Sequence, residues 1–235
     1  MITPEERTEP SRPPEPESAG RRGWSSWVRG GFAALGRARS APAFHPSGRV
    51  LTGRISAVDG CPPWFPLPVE PTPALVRVSK GVGLPGGAPD ILGLGIRTTV
   101  DGLPWDLLLS SCGPGPLRGL PFPGLGWDRA HYSSIVALVG DGGRGVLRAV
   151  PRGLPSGARL DAVVPALPFG WDLRLGGVRV GRLDVTARAD EEISFDPLGN
   201  AAGLGTSPRW LTALRKPAYV GSQEGRHAAE PGTRR

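Results

Sequence analysis

The sequence has few residues of several types that mark common functional classes. Of 235 residues only Cys61 and Cys112 are cysteines, and they lack CxxC spacing, so no zinc site is indicated. Lysine occurs only at Lys80 and Lys216, so scattered arginines carry most of the net charge of +7. Nucleic-acid-binding proteins usually concentrate positive charge in a stripe. Nucleic-acid binding is therefore not expected, although weak contact with an anionic membrane surface stays open.

Long apolar runs are also missing. No stretch approaches the roughly 18 apolar residues of a transmembrane helix. The first twenty residues, MITPEERTEPSRPPEPESAG, are acidic and proline-rich and contain no apolar core of a secretory signal. We therefore expect a cytoplasmic protein with reduced thiols and no membrane-spanning segment.

Glycine and proline are abundant, with 36 and 28 residues, but short apolar stretches separate them. Such frequent glycine and proline residues disfavour a helix-rich fold. Many stretches have the pattern of β-strands, because apolar and polar residues alternate in them or several apolar residues follow one another. They are GRVLTGRISAV, PALVRVSKG, ILGLGIRTTV, WDLLLSS, YSSIVALVG, GVLRAVPRG, WDLRLGGVRVGRLDVTA and EEISFDP. Short strands with turn signals between them predict a mainly β protein, an antiparallel barrel or sandwich.

The ends of the chain differ from this middle part. Trp24, Trp27, Val28, Phe32 and Leu35 have helical spacing and predict a short amphipathic helix, which we expect to dock on its own domain rather than on a membrane. The predicted organisation is a disordered acidic, proline-rich tail plus this helix over 1–40, the β-rich domain over 41–200, a helical segment over 201–226 and a disordered tail over 227–235.

A glycine pattern and a tyrosine could each carry chemistry. Gly81–Gly86 fits GxGxxG, but proline and glycine follow it where a dinucleotide site needs a helix start. Tyr219 stands four residues after Arg215 and seven before Arg226. Neighbouring cations favour a phenolate, which is a ligand for ferric haem iron. The alternative is a surface tyrosine in an arginine-rich tail.

Four stretches resemble the catalase superfamily, in the same order along the chain. They are FHPSGRVLTGRI, VRVSKGVGLPGGAPDILGLGIRT, LPWDLLLSS and FDPLGNAAGLGTSPRWLTALRKPAYVGSQEGR. The resemblance covers about residues 44–111 and 195–226, and residues 112–194 match nothing in the family. It implies a catalase-like antiparallel β-barrel, shorter than a full catalase, that binds haem b.

On the proximal side, the resemblance implies that Tyr219 is the iron ligand. Arg215 would keep the phenol ionised, and Arg226 would add a second charge. On the distal side, it implies that His45 is the acid–base group and that Ser79 binds its imidazole. Arg77 would pair with a haem propionate.

Two departures from the family pattern stand out. Ser110 and Ser111 occupy the place where the family has a distal asparagine, and Pro42 replaces an arginine. A hydroxyl lacks the reach of an amide, so fast dismutation of hydrogen peroxide is not expected. The expected activity is a slower reaction with a peroxide or an organic hydroperoxide. The sequence is also compatible with a homo-oligomer. The rival interpretation is a barrel that has lost haem and serves as a binding or interaction module.

Overall fold

The computed structural model describes residues 47–207. The predicted helix within 23–39, both tails and residues 208–226 lie outside the described residues. The strands are β1 Ser47–Ala57, β2 Thr72–Lys80, β3 Leu92–Val100, β4 Leu103–Ser111, β5 Tyr132–Ser133, β6 Ala137–Gly140, β7 Gly143–Gly145, β8 Leu147–Arg152, β9 Phe169–Leu175, β10 Val178–Arg188 and β11 Gly205–Ser207.

Eight of these strands form a closed barrel in the order β1-β10-β9-β8-β5-β4-β3-β2. The paired neighbours within it are antiparallel. Closure leaves the barrel sheet without a free edge that could pair with another chain. A small second sheet, in the order β11-β6-β7, stands beside the barrel. This arrangement confirms the prediction of a mainly β protein built on an antiparallel barrel.

The barrel interior is packed with side chains from alternate strand positions. In β2, Ala74, Val76 and Val78 point inward, whereas Leu75 and Arg77 point outward and are only partly buried. The largest fully buried side chains include Trp105, Trp127, Trp171, Tyr132 and Phe65. An eight-stranded barrel has an interior just wide enough for its own side chains. The interior is therefore a hydrophobic core.

The two ends of the barrel carry different connections. One end, called the loop end below, holds the start of β1 and the long connections 81–91, 112–131 and 153–168. The other end, called the turn end, holds the connection 58–71 and two tight turns. One of these turns is Asp101–Gly102, where both residues have positive φ, 50° and 79°. That backbone suits the tight turn between two antiparallel strands.

Three local predictions were wrong. YSSIVALVG is not one strand, because the chain breaks at Ile135 (φ 64°) and passes from β5 in the barrel to β6 in the second sheet. EEISFDP is not a strand. The helical segment predicted from residue 201 instead begins with a turn and the strand Gly205–Ser207.

Helix content is low in the part of the chain that the structure describes. Within residues 47–207 the helical elements are two short 3-10 helices, Gly115–Gly119 and Val164–Ala166. None of the helices in these residues has the length and apolar character needed to cross a bilayer.

Candidate functional site

A row of small residues crosses the outer face of the barrel near the loop end. Gly48 of β1 pairs with Ser79 of β2, Ser79 with Gly93 of β3, Gly93 with Ser110 of β4, and Ser110 with Ser133 of β5. Residues directly opposite each other across a pair of strands point to the same face. These five residues, called the serine row below, therefore share the outer face of the barrel, where Ser79 and Ser133 are buried and the other three are half-buried.

Arg77 lies beside the serine row, one step further along β2 on the same outer face. Its guanidinium packs against Gly48, because a Cβ atom at Gly48 would lie 2.8 Å from the guanidinium carbon. Burial lowers the pKa of Arg77, and the nearby charge of Glu192 acts in the opposite direction. A half-buried cation thus stands next to a strip of small residues, which suits an anionic group of a flat ligand.

The two serines predicted at the distal asparagine position point to opposite faces. Ser110 lies in the serine row and is half-buried. The side chain of Ser111 is buried, and its hydroxyl accepts a 2.9 Å hydrogen bond from the Leu92 N–H and donates a 2.7 Å hydrogen bond to the Phe122 carbonyl. Ser111 therefore joins two loop-end connections, and only Ser110 shares a face with Ser79.

Two motif segments that are far apart in sequence meet on the outer face. The buried Asp106 carboxylate binds Arg97 through Nε at 2.6 Å and Nη2 at 2.5 Å. It also accepts hydrogen bonds from the Asp196 N–H at 2.6 Å and the Asn200 side chain at 3.0 Å. Residues 195–200 are thereby fastened to β3 and β4.

Phe195 covers the outer face of β3 directly next to the serine row. A Cβ atom at Gly95 would lie 2.7 Å from the Phe195 ring, so glycine is what lets the ring approach the strand. Arg97 also contacts this ring, with its guanidinium carbon 5.6 Å from the ring centre. Gly95 and Phe195 belong to two of the stretches that carried the family resemblance.

The interior of the barrel is filled by its own side chains. The cavity lined by Trp105, Leu108, Val136 and Leu204 has a volume of about 50 Å³. Small-molecule pockets typically measure about 300–1,000 Å³. A ligand of haem size therefore fits neither this cavity nor the packed barrel core.

The predicted site residues divide into two groups. Ser79, Arg77 and Ser110 come together on the outer face, with Ser111 behind them. His45, Arg215, Tyr219 and Arg226 lie outside the described residues. Within residues 47–207 no group of three or more His, Cys, Asp or Glu side chains could hold a metal ion.

The segment with His45 joins the described chain at the serine row, and the segment with Tyr219 joins it at the small second sheet. Gly48, three residues after His45, pairs with Ser79. At the other end, Ser207 pairs with Ala137, four residues after Ser133 of the row. Eleven residues then lie between Ser207 and Tyr219.

Sequence reasoning missed two features of this region. Arg148 pairs with Ser133 and continues the row with a cation, but it lies in the part of the chain that resembled nothing. Asp106 entered the sequence prediction only as the aspartate of the stretch LPWDLLLSS. A carboxylate beside the apolar run Leu107–Leu109 needs a partner when it is buried, and that signal could have identified it as an anchor.

The comparisons with known proteins agree with the fold. No protein-family model matches the sequence, and neither does any curated protein. Among solved structures, the chain is similar to a bacterial catalase, with 11% identity, a TM-score of 0.53, and coverage of 85% of this chain and 60% of that one. This chain thus spans 60% of the length of that catalase. At this identity the similarity shows a catalase-like fold.

Proposed function

We propose that this protein binds haem b against the serine row and acts on a peroxide or an organic hydroperoxide. The main support is the position of the row. It consists of small residues and has a half-buried arginine beside it. The segment with His45 joins the chain at the row, and the segment with Tyr219 joins at Ser207, whose partner Ala137 lies four residues after Ser133. Haem is a flat group with two carboxylates, so small residues and a guanidinium fit its face and its edge.

In this proposal Tyr219 supplies the phenolate ligand and Arg215 favours its ionised form. Arg226 adds positive charge to the same segment. Arg77 pairs with a propionate, where its planar donors suit a carboxylate. Bound haem would supply a ferric iron that activates the peroxide bond. The family resemblance and the physical chemistry of the residues support these roles.

On the peroxide side, His45 takes a proton from one peroxide oxygen and returns it to the other. Ser79 orients the imidazole through its hydroxyl. Ser110 offers one hydroxyl donor on the same face where the family pattern has an amide. Hydrogen peroxide is then held weakly, so the proposed chemistry is slow and peroxidase-like, and the substrate class extends to organic hydroperoxides.

A cytoplasmic location belongs to the same proposal. Cys61 and Cys112 are both free thiols in the described structure, which suits a reducing compartment.

The test is a hemin titration of the full-length chain and of two matched variants on the outer face. Ser110→Leu places a bulky side chain in the serine row and should weaken hemin binding at least tenfold. Thr99→Leu places the same side chain at an exposed position of β3 near the turn end and should have no effect. Failure of the parent chain to bind hemin, or equal binding by both variants, would contradict the proposal.

A non-catalytic interaction module is the second candidate. It is favoured by Ser110 and Ser111, which stand where the family pattern has a distal asparagine. A chain that ignores hemin but keeps a folded barrel would support this function.

A further inference from the structure

Two loops at the loop end present apolar side chains to solvent. Val82 and Leu84 of the β2–β3 connection are 51% and 42% exposed, and Phe122 and Leu125 of the β4–β5 connection are 46% and 75% exposed. Leu117 and Leu120 are exposed on the same connection. These six residues are called the loop patch below. A group of exposed apolar residues of this kind usually marks a surface that binds something.

The first loop of the patch is rigid. The Lys80 side chain is 3% exposed, and its ammonium donates hydrogen bonds to the carbonyls of Leu84 at 2.5 Å, Gly86 at 3.1 Å and Ala88 at 3.3 Å. The buried Asp90 carboxylate accepts hydrogen bonds from the Val82 and Leu84 N–H groups, both at 2.8 Å. A buried lysine and a buried aspartate therefore fix the backbone that carries these two apolar side chains.

The second loop is tied to the first and to the barrel. Asp90 and Gly124 exchange backbone hydrogen bonds of 3.4 and 2.8 Å. The Phe122 carbonyl accepts the Ser111 hydroxyl, and the Phe122 N–H donates to the Ser111 carbonyl at 2.9 Å. The patch is consequently held in a fixed shape before it binds anything, which lowers the entropic cost of binding.

The N-terminal part of the chain meets the barrel at this same end. Ser47 pairs with Lys80, whose ammonium contacts the first loop of the patch. Seven residues, 40–46, join Ser47 to the predicted amphipathic segment 23–39. Seven extended residues span up to about 23–25 Å. Lys80, the partner of Ser47 at the end of this linker, contacts Leu84 of the patch directly. The linker is therefore long enough for residues 23–39 to reach the patch.

We propose that the loop patch is the docking surface for residues 23–39 of the same chain. The segment carries Trp24, Trp27, Val28, Phe32 and Leu35 at helical spacing, an apolar stripe that needs a partner. Joining two surfaces through a linker of about this length gives an effective concentration in the millimolar range, so modest apolar contact suffices. The loop patch is an exposed apolar surface at the end of the barrel where this segment joins. This inference does not depend on haem binding.

Hydrogen exchange of the full-length chain, followed by mass spectrometry, tests the docking in both directions. The double variant Trp27→Ser, Phe32→Ser should speed exchange of residues 82–84 and 117–125 at least tenfold. Exchange in Val178–Arg188, away from the patch, should not change and shows that the barrel remains folded. In the other direction, Leu125→Ser should speed exchange within residues 24–35.

The matched control for the reverse arm is Leu103→Ser. Leu103 is 65% exposed, similar to Leu125, but lies at the turn end. It should leave exchange of residues 24–35 unchanged. No change in exchange in either set of variants would overturn the proposal. Protection of the patch that grows with protein concentration would also overturn it, because that indicates a second copy. So would protection of the patch that appears only after vesicles of phosphatidylcholine and phosphatidylglycerol are added.

Discussion

The Asp106 carboxylate accepts a 2.6 Å hydrogen bond from the backbone N–H of Asp196, ninety residues later in the chain. The same carboxylate is paired with Arg97, and its side chain is fully buried. Residues 195–200 belong to no strand, and this carboxylate holds them on β3 and β4 together with a 2.8 Å hydrogen bond from the Asp106 N–H to the Asn200 carbonyl.

We expect Asp106→Ala to cost about 3 kcal/mol of unfolding free energy, because it leaves Arg97 and the Asp196 N–H without their shared acceptor. The comparison variant is Asp161→Ala, which breaks an ion pair to Arg159 whose side chains are 61% and 60% exposed. Exposed pairs contribute at most about 1 kcal/mol. Urea denaturation measures both. Equal costs would show that the Asp106 cluster is no stronger than a surface pair.

Gly95→Ala should destabilise the protein by about 1–3 kcal/mol, because the new methyl group collides with the Phe195 ring. The cost should fall sharply in a Phe195→Ala background, where the ring is gone. Gly119→Ala is the control, since a Cβ atom there meets nothing within 4 Å. Additive effects of the Gly95 and Phe195 substitutions, measured by denaturation, would argue against the contact.

The pH dependence of stability should include a contribution from Asp184. Burial raises the pKa of its carboxyl, but hydrogen bonds and charge from Arg182 and Arg152 outweigh burial, so the pKa lies below its usual value near 3.8. A depressed folded-state pKa adds stability that is complete above about pH 4 and is lost as the pH falls further.

The stability gap between the parent chain and Asp184→Asn should therefore be largest near neutral pH and shrink below pH 4. Asp141→Asn, at an exposed turn position, should show a small gap throughout. Urea midpoints between pH 2.5 and pH 7 provide the measurement. A gap for Asp184→Asn that stays constant over this range would refute the assignment.

Substitutions of the adjacent serines should separate their roles. Ser111→Asn should cost about 1–3 kcal/mol, because it disturbs a buried hydroxyl that bonds to Leu92 and Phe122. Ser110→Asn should change stability little and, in the haem-loaded protein, raise hydrogen peroxide turnover by restoring an amide donor on the face of the serine row. The reverse pattern, with Ser111→Asn active and Ser110→Asn unstable, would contradict the placement.

The sequence predicted the barrel strands well, because the alternation of apolar and polar residues that marks a strand lies within a few neighbouring residues. The alternation in β2 and β10 reports which residues face the core, and turn residues mark where the strands end. The same pattern could not reveal that the chain leaves the barrel at Ile135, where a positive φ in an apolar run breaks the strand. Strand pairing across that break depends on contacts distant in sequence.

The candidate site was predictable in part. Alternation places Ser110 and Ser111 on opposite faces, but only the closed barrel shows which face is packed. Gly95 inside a strand pattern signals a close approach, although the pattern does not name Phe195 as the group that approaches. Arg148 joined the serine row through pairing with Ser133, a relationship that no local sequence signal carries.

The central claim is that Tyr219 ligates haem iron, and the chain contains its own control because it has only two tyrosines. Tyr132 is 1% exposed and packs edge-on against Trp171 at 6.2 Å. Burial raises the pKa of Tyr132, so it remains a neutral phenol. Replacing each tyrosine by phenylalanine removes one hydroxyl and keeps the ring.

The decisive measurement is the ferric absorption spectrum of the full-length chain, Tyr219→Phe and Tyr132→Phe during titration with hemin. The parent and Tyr132→Phe should bind hemin with the same affinity and show the same phenolate-type spectrum. Tyr219→Phe should bind at least a hundredfold more weakly and lose the phenolate bands. A Tyr219→Phe protein with the parent's affinity and spectrum would contradict the account.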